Sequence, residues 1–439
     1  MRHGIWVLLT LLLASNAQAD NMLEALSQHC DGGITRQELP GVPGIAHYSA
    51  LVQMGPGEHD RVRLHRVVRE NSPWVPKASP KGVMLRHGDS LNFVVSWLWP
   101  GPNGDYASSF AVYLAQKGFD VWGLDARWSV VPEGAIDPAD PTSDDFMATW
   151  DLELDAEDAH DALGIARVIR ALTGSGTSKM KYLGWSRGAQ TGYVLAQQEA
   201  LMPARQRHMN GVAFLDVPFK AAPDQPELAA ALCAFSDQIE AAMAAGSYAD
   251  TTGLTIRLVG NLAVSDPNGP SPLVPGFSNM QTAMALGGAT WRFFRTAPLP
   301  DGVAYVPWYH LVGAEFSETG VPLDLLFTDE TVFANTAANV SPYEAWGTML
   351  QGDRVVCADT PLDDHLAAVT IPAFNVGANG GFGPVDDYGF NLLGSTDKTN
   401  IDITITGDVF NDFGHDDVVR SPLAKALWWD AFAAWLTAH

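Results

Sequence analysis

In Gly184-Trp185-Ser186-Arg187-Gly188 a serine stands two residues from a glycine on either side, where Lys179–Gly184, which reads as a buried strand, gives way to helix formers from Ala189 to Glu199. A serine hydroxyl is a weak nucleophile at its free pKa and reacts when it is held in the open beside a base. A sharp turn from strand to helix does this, with small flanking residues letting neighbouring elements approach a strained backbone. The helix that follows aims its N-terminal amides at the serine, where they favour an oxyanion. The motif alone also fits an ordinary turn with a surface serine. The rest of the chain has to supply a base, an acid and a second oxyanion donor.

Alternating apolar runs mark the elements that would position such a site. Leu51–Gln53 and Arg61–Arg69 read as a hairpin around Gly55-Pro56-Gly57, with the arginines of the second strand on a solvated face. Gly82–Arg86 is a short apolar strand that ends in His87-Gly88-Asp89. Such a loop beside the elbow can turn a backbone N–H, that of Asp89 or its neighbour, towards the oxyanion together with the N–H of Arg187. A helix over 108–117, a strand over 119–124, an acidic proline-bearing loop over 132–145 read as solvated, and a helix over 152–172 follow. That helix is acidic at its start and basic towards its end, which suits its dipole. After the elbow helix comes the buried strand Gly211–Val217, carrying Asp216 near its end. Strands alternating with helices predict a parallel sheet wrapped by helices.

Residues 218–367 break the alternation and carry 17 acidic against 5 basic residues, with apolar patches at Trp291–Phe294, Tyr305–Tyr309 and Leu323–Phe327. The pattern resumes with Val369–Val376, a Gly-rich loop, a last strand over Asn400–Thr406, then Gly414-His415 and a helix with Trp428 and Trp429 set to pack on the sheet.

This layout resembles the α/β-hydrolase superfamily, and within it the lipase and esterase branch. His87-Gly88 after the third strand, Gly184–Gly188, and Gly414-His415 after the last strand carry the resemblance, over about residues 80–217 and 368–439. It implies an α/β-hydrolase fold, a mostly parallel central sheet flanked by helices, with a large cap between strands 6 and 7. The domains are then a core over 20–217, a cap or lid over 218–367 and the rest of the core over 368–439. It also implies a triad in the chain order serine, acid, histidine. Ser186 is the nucleophile and His415 the base, with Asp89 and Arg187 supplying the oxyanion hole. For the acid, the usual place after the seventh strand holds Ala378-Asn379-Gly380-Gly381 and no carboxylate. Asp216, directly after the sixth strand, is favoured, and Asp386 is the alternative. A carboxylate that ends an apolar strand is costly without a partner.

The function so implied is hydrolysis of carboxylic esters through an acyl-enzyme, the large cap pointing to a lipid, polyester or other bulky ester. An amidase or peptidase would use the same triad, and a binding protein on a hydrolase scaffold would be expected to lose the serine or the histidine. The mechanism needs no cofactor, and no C-x-x-C or H-E-x-x-H pattern supports a metal site. The formal net charge of −24 argues against nucleic acid and anionic membranes as partners. Met1-Arg2-His3, the apolar run Ile5–Ala14 and Ala17-Gln18-Ala19 read as a signal peptide over 1–19, cleaved near Ala19, too short to serve as a membrane anchor. A secreted or periplasmic protein is expected. Export permits a disulfide, and of Cys30, Cys233 and Cys357 the latter two are the preferred pair.

Overall fold

Residues of the central strands alternate between two apolar layers, and that period of two sets the architecture. Val83, Leu85, Leu183, Trp185 and Leu215 face one layer, built with Trp428 and Phe432. Met84, Tyr182, Val212 and Phe214 face the other, built with Ala156, Ala159, Leu163 and Tyr193. Both faces are dry, as expected of a parallel sheet covered by helices on either side. The computed structural model describes residues 33–101, 103–137, 139–140, 142–290 and 308–439. The expected signal peptide, Cys30 and the apolar residues Trp291–Phe294 and Tyr305–Pro307 lie outside the described residues.

The main sheet runs β1 (Thr35–Glu38), β2 (Ile45–Gln53), β3 (Arg61–Ser72), β4 (Gly82–Arg86), β5 (Asp120–Asp125), β6 (Met180–Trp185), β7 (Met209–Leu215), β8 (Ala373–Ala378) and β9 (Lys398–Ile403), with Val75–Pro76 paired to β3 as a tenth strand. In space the order is β1-β2-β3-β5-β4-β6-β7-β8-β9. The first three strands and the β3–β5 pair are antiparallel; every pair from β5 to β9 is parallel. β1 precedes the eight strands legible in the sequence, so the predicted strands 6 and 7 are β7 and β8. A large helical insertion separates them, and the topology is that of an α/β hydrolase.

The strand order reverses between β4 and β6. The chain leaves β4 towards β5 on one side and leaves β6 towards β7 on the other. Open α/β sheets form their crevice outside the carboxyl ends of such strands. His87-Gly88 follows β4 and Ser186 follows β6, so both open onto that crevice.

The helix Leu152–Leu172 has the predicted bounds; the Asp151 carboxylate caps the Leu154 N–H at 2.9 Å. The predicted solvated face of β3 is corrected at Arg66. It is buried and bonds Asp120 through two nitrogens at 2.8 and 3.0 Å. The loop over 132–145 is not wholly solvated either. Asp144 is buried and accepts from the Tyr248 and Ala249 N–H groups of the insertion at 2.8 and 3.0 Å.

The insertion contributes the helices Pro226–Ala244, Thr252–Ser265, Asn279–Gly288, Glu330–Ala338 and Trp346–Cys357. A disulfide joins Cys233, on the first of them, to Cys357, the last residue of the last. Among the described residues no helix is long and apolar enough to cross a membrane.

Candidate active site

Ser186 sits between β6 and the elbow helix Arg187–Leu201 with φ 56° and ψ −128°. An L-residue held there stores roughly 1–3 kcal/mol of strain, tolerated where surrounding structure over-determines it. Two glycines make the turn possible. A Cβ on Gly184 would lie 2.0 Å from the Gly188 carbonyl oxygen, and one on Gly188 would lie 2.4 Å from the His87 carbonyl oxygen. Tyr182 donates its hydroxyl to the Gly188 carbonyl at 2.9 Å. Beneath the turn Arg86, fully buried, makes two hydrogen bonds of 2.9 Å to Asp155, which also accepts from Thr191 of the elbow helix at 2.6 Å. These bonds at Asp155 tie β4, the helix Leu152–Leu172 and the elbow helix into one base, while Arg86 Nε is buried without a partner.

The β4 loop lies directly against the serine: a Cβ on Gly88 would stand 2.7 Å from the Ser186 Cβ and 3.3 Å from its Oγ. His87 shapes this loop from inside. Its Nδ1 meets the Gly88 carbonyl at 2.8 Å and its Nε2 meets the Ala126 N–H at 3.1 Å, which calls for the neutral ring with the proton on Nδ1. Burial, with Arg86 adding to it, lowers its pKa to about 3, so the ring stays neutral. Asp89 follows, and its carboxylate receives the Arg187 guanidinium through Nε and Nη2 at 3.0 and 3.1 Å. The residues predicted to carry the oxyanion N–H groups are thus joined through their own side chains. The Arg187 amide, first in its helix, has no carbonyl a turn behind it to bond.

Of the two candidate acids, the structure brings Asp216 to the histidine. Asp216 is fully buried at the end of β7, and its Oδ2 lies 2.6 Å from the His415 Nδ1. Its Oδ1 accepts from the Ala378 and Phe382 N–H groups at 2.8 and 3.0 Å. Those three donors meet the desolvation cost of a carboxylate in an apolar strand end. Gly381 leaves the space: a Cβ there would be 2.1 Å from Oδ2.

Asp386 is elsewhere, on the helix Gly383–Asn391, where it is buried and accepts from Asn375 Nδ2 at 3.2 Å. Burial, then the neighbouring Asp216 and Asp387, push its carboxyl well above the usual range, so it keeps its proton.

His415 is buried among rings, with Trp185 at 5.3 Å and Tyr309 and Phe382 each at 5.4 Å between centroids. Its backbone N–H donates to the His310 carbonyl at 3.0 Å. Tyr309 and Phe382 continue into an apolar cluster with Trp308, Leu228 and Val385. An apolar wall therefore runs from the imidazole to the first insertion helix. Four non-glycine residues among those described have positive φ, and three of them, Ser90, Ser186 and Asp216, belong to these segments. Sequence reading missed Asp155, Thr191, Tyr309 and Phe382. For the first two a signal existed, since a polar residue on the inner stripe of a buried helix needs a partner.

No family model and no curated protein matches the chain. Among solved structures it is similar to a chain from Sulfolobus solfataricus described as a candidate lipase, at 17% identity and a TM-score of 0.63, over 92% of this chain and 98% of that one. A thermophilic esterase from Thermogutta terrifontis, 12% identical over 92% and 98% of the two chains, gives 0.41. A soluble variant of the monoglyceride lipase of Saccharomyces cerevisiae, 10% identical over 92% and 94%, gives 0.43. The first likeness supports the fold; the other two are too distant to carry an argument.

Proposed function

We propose that this chain is a serine hydrolase that cleaves carboxylic esters with bulky apolar parts. The observation that carries the reading is the His415–Asp216 hydrogen bond of 2.6 Å at the same crevice as a serine held at φ 56°. With Asp216 accepting from Nδ1–H, the imidazole presents the lone pair of Nε2 and takes the Ser186 proton as Oγ attacks the ester carbonyl carbon. Negative charge then builds on the carbonyl oxygen, and the N–H groups of Asp89 and Arg187 receive it. Collapse expels the alcohol, protonated by the imidazolium, and leaves an acyl group on Ser186. Water activated by the same imidazole releases the acid.

The wall of Trp308, Tyr309, Phe382, Val385 and Leu228 beside His415 supports an apolar acyl or alkyl group rather than a charged one. Residues 218–367 act as the cap over the crevice, between core segments 20–217 and 368–439. The leader over 1–19 is removed and the protein works outside the cytoplasm.

The test is hydrolysis of a graded series of p-nitrophenyl esters. Activity should rise from acetate to medium-chain esters and fall by about 10,000-fold or more in Ser186→Ala. Activity that survives this substitution would remove the reading.

A further inference from the structure

One guanidinium beside the candidate nucleophile is shared among carboxylates from two parts of the chain. Arg187 bonds Asp89 from the β4 loop, and its Nη2 also reaches Asp353 Oδ1 at 3.2 Å. Asp353 lies on Trp346–Cys357, the last insertion helix. Fit here is close: a Cβ on Gly352 would stand 1.7 Å from Arg187 Nη1. Gln190, one turn along the elbow helix, donates to the Gly352 carbonyl at 3.0 Å.

On the other side Glu344 Oε2 accepts the Ser90 N–H at 3.0 Å, and the Ser341 N–H donates to the Ser90 carbonyl at 2.7 Å. Ser90 itself is held at φ 55°. So the insertion grips both neighbours of the proposed oxyanion hole: the side chain of Arg187 and the backbone just after Asp89.

We propose that Asp353 and Glu344 are positioning residues that hold the N–H groups of Arg187 and Asp89 in register for the oxyanion. The inference rests on the serine-hydrolase reading and adds to it, because it makes the insertion a working part of the oxyanion hole as well as a cover. The charges fit this role. Burial, and Asp89 beside it, raise Asp353 to about 6, so it is largely ionised at neutral pH and matches Arg187. Burial and Asp89 hold Glu344 well above its usual range, so it keeps its proton and does not add a third negative charge. Arg187, Asp89, Glu344, Asp353, Asp250 and His415 are the titratable and charged groups that face one another here.

The test uses the full chain with p-nitrophenyl butyrate as substrate and an arylboronic acid as tetrahedral mimic. Asp353→Leu and Glu344→Ala should each lower kcat about 10-fold, short of the 100-fold or more seen when an oxyanion donor is lost outright. KM should stay within about twofold, since only transition-state contacts are weakened. Boronate affinity should fall by the same factor as kcat, and Asp353→Glu should recover most of it. Asp237→Ala, which removes an exposed partner of Arg354 over on the same helix, should match wild type.

Equal kcat and boronate affinity in wild type, Asp353→Leu and Glu344→Ala would overturn the inference while leaving the hydrolase reading intact. So would a loss that appears in KM alone, or one that Asp353→Glu does not reverse. If Asp353→Leu does not fold, Glu344→Ala decides. A wild type with no esterase activity would instead remove the underlying reading and this inference with it.

Discussion

At the scale of residues, the two candidate acids differ in what surrounds them. Asp216 accepts from two backbone N–H groups and meets the His415 imidazole. Asp386 has a single amide donor and three acidic neighbours, Asp216, Asp387 and Asp402, and one of its oxygens is buried with no partner. Asp216→Asn should therefore cost about 10,000-fold in kcat through the wrong imidazole tautomer, whereas Asp386→Asn should leave kcat near wild type. The carboxyl of Asp386, raised above its unfolded value, contributes stability that is fully present below the ordinary carboxylate range. That contribution is lost as pH rises through the raised value. Asp386→Asn should accordingly gain on wild type as pH rises, measured by urea melts at pH 5 and pH 8. A variant that loses ground at pH 8 would show that Asp386 is ionised in the native protein. Ser186, His415 and Asp216 could be proposed from the sequence because each stands at a predictable place after a strand. The choice between Asp216 and Asp386 was only a preference, since it depends on which loop end folds back to His415, 199 residues beyond Asp216.

At the scale of elements, the central strands and the helices beside them announce themselves through local periodicity, and their predicted bounds differ from the observed ones by only a few residues. The insertion did not, because its helices gain stability from one another and from the elbow helix rather than from a pattern along the chain. Asp353 and Arg187 are 166 residues apart, and Glu344 and Ser90 are 254 apart, so nothing in the sequence joins them. The Cys233–Cys357 bridge closes a segment of 124 residues and holds the first insertion helix to the last. Replacing both cysteines with serine should cost about 2–4 kcal/mol of stability in a denaturant melt under oxidising conditions. The loss should be accompanied by a fall in kcat, because Cys357 terminates the helix that carries Asp353. Unchanged melts would show that the insertion is held by its packing alone.

At the scale of the whole molecule, the chain carries 50 acidic against 26 basic side chains, and the Arg187 guanidinium beside the serine is already engaged by Asp89 and Asp353. Such a field repels anionic substrates over distances set by the Debye length, about 10 Å at 0.1 M salt. For a p-nitrophenyl ester with a terminal carboxylate, kcat/KM should rise between 10 and 500 mM NaCl, while that of a neutral ester of equal length should barely change. A neutral ester with the same salt dependence would place the effect on the protein rather than on encounter. The parallel sheet followed from the alternation of strands and helices, whereas its reversal point and the crevice there emerge only from the spatial order of the strands. The antiparallel edge strand β1 did not, because four residues, TRQE, with little burial carry no apolar alternation.

The central claim is that catalysis passes through an acyl group on Ser186. Stopped-flow mixing of the protein with a medium-chain p-nitrophenyl ester tests it most directly. A burst of p-nitrophenolate approaching one equivalent per chain is expected when deacylation is the slower step, with the acyl mass on the peptide that contains Ser186 after acid quench. The burst and the adduct should both be absent in Ser186→Ala. Turnover by wild type with no acylated Ser186 peptide, and turnover that persists in Ser186→Ala, would contradict it.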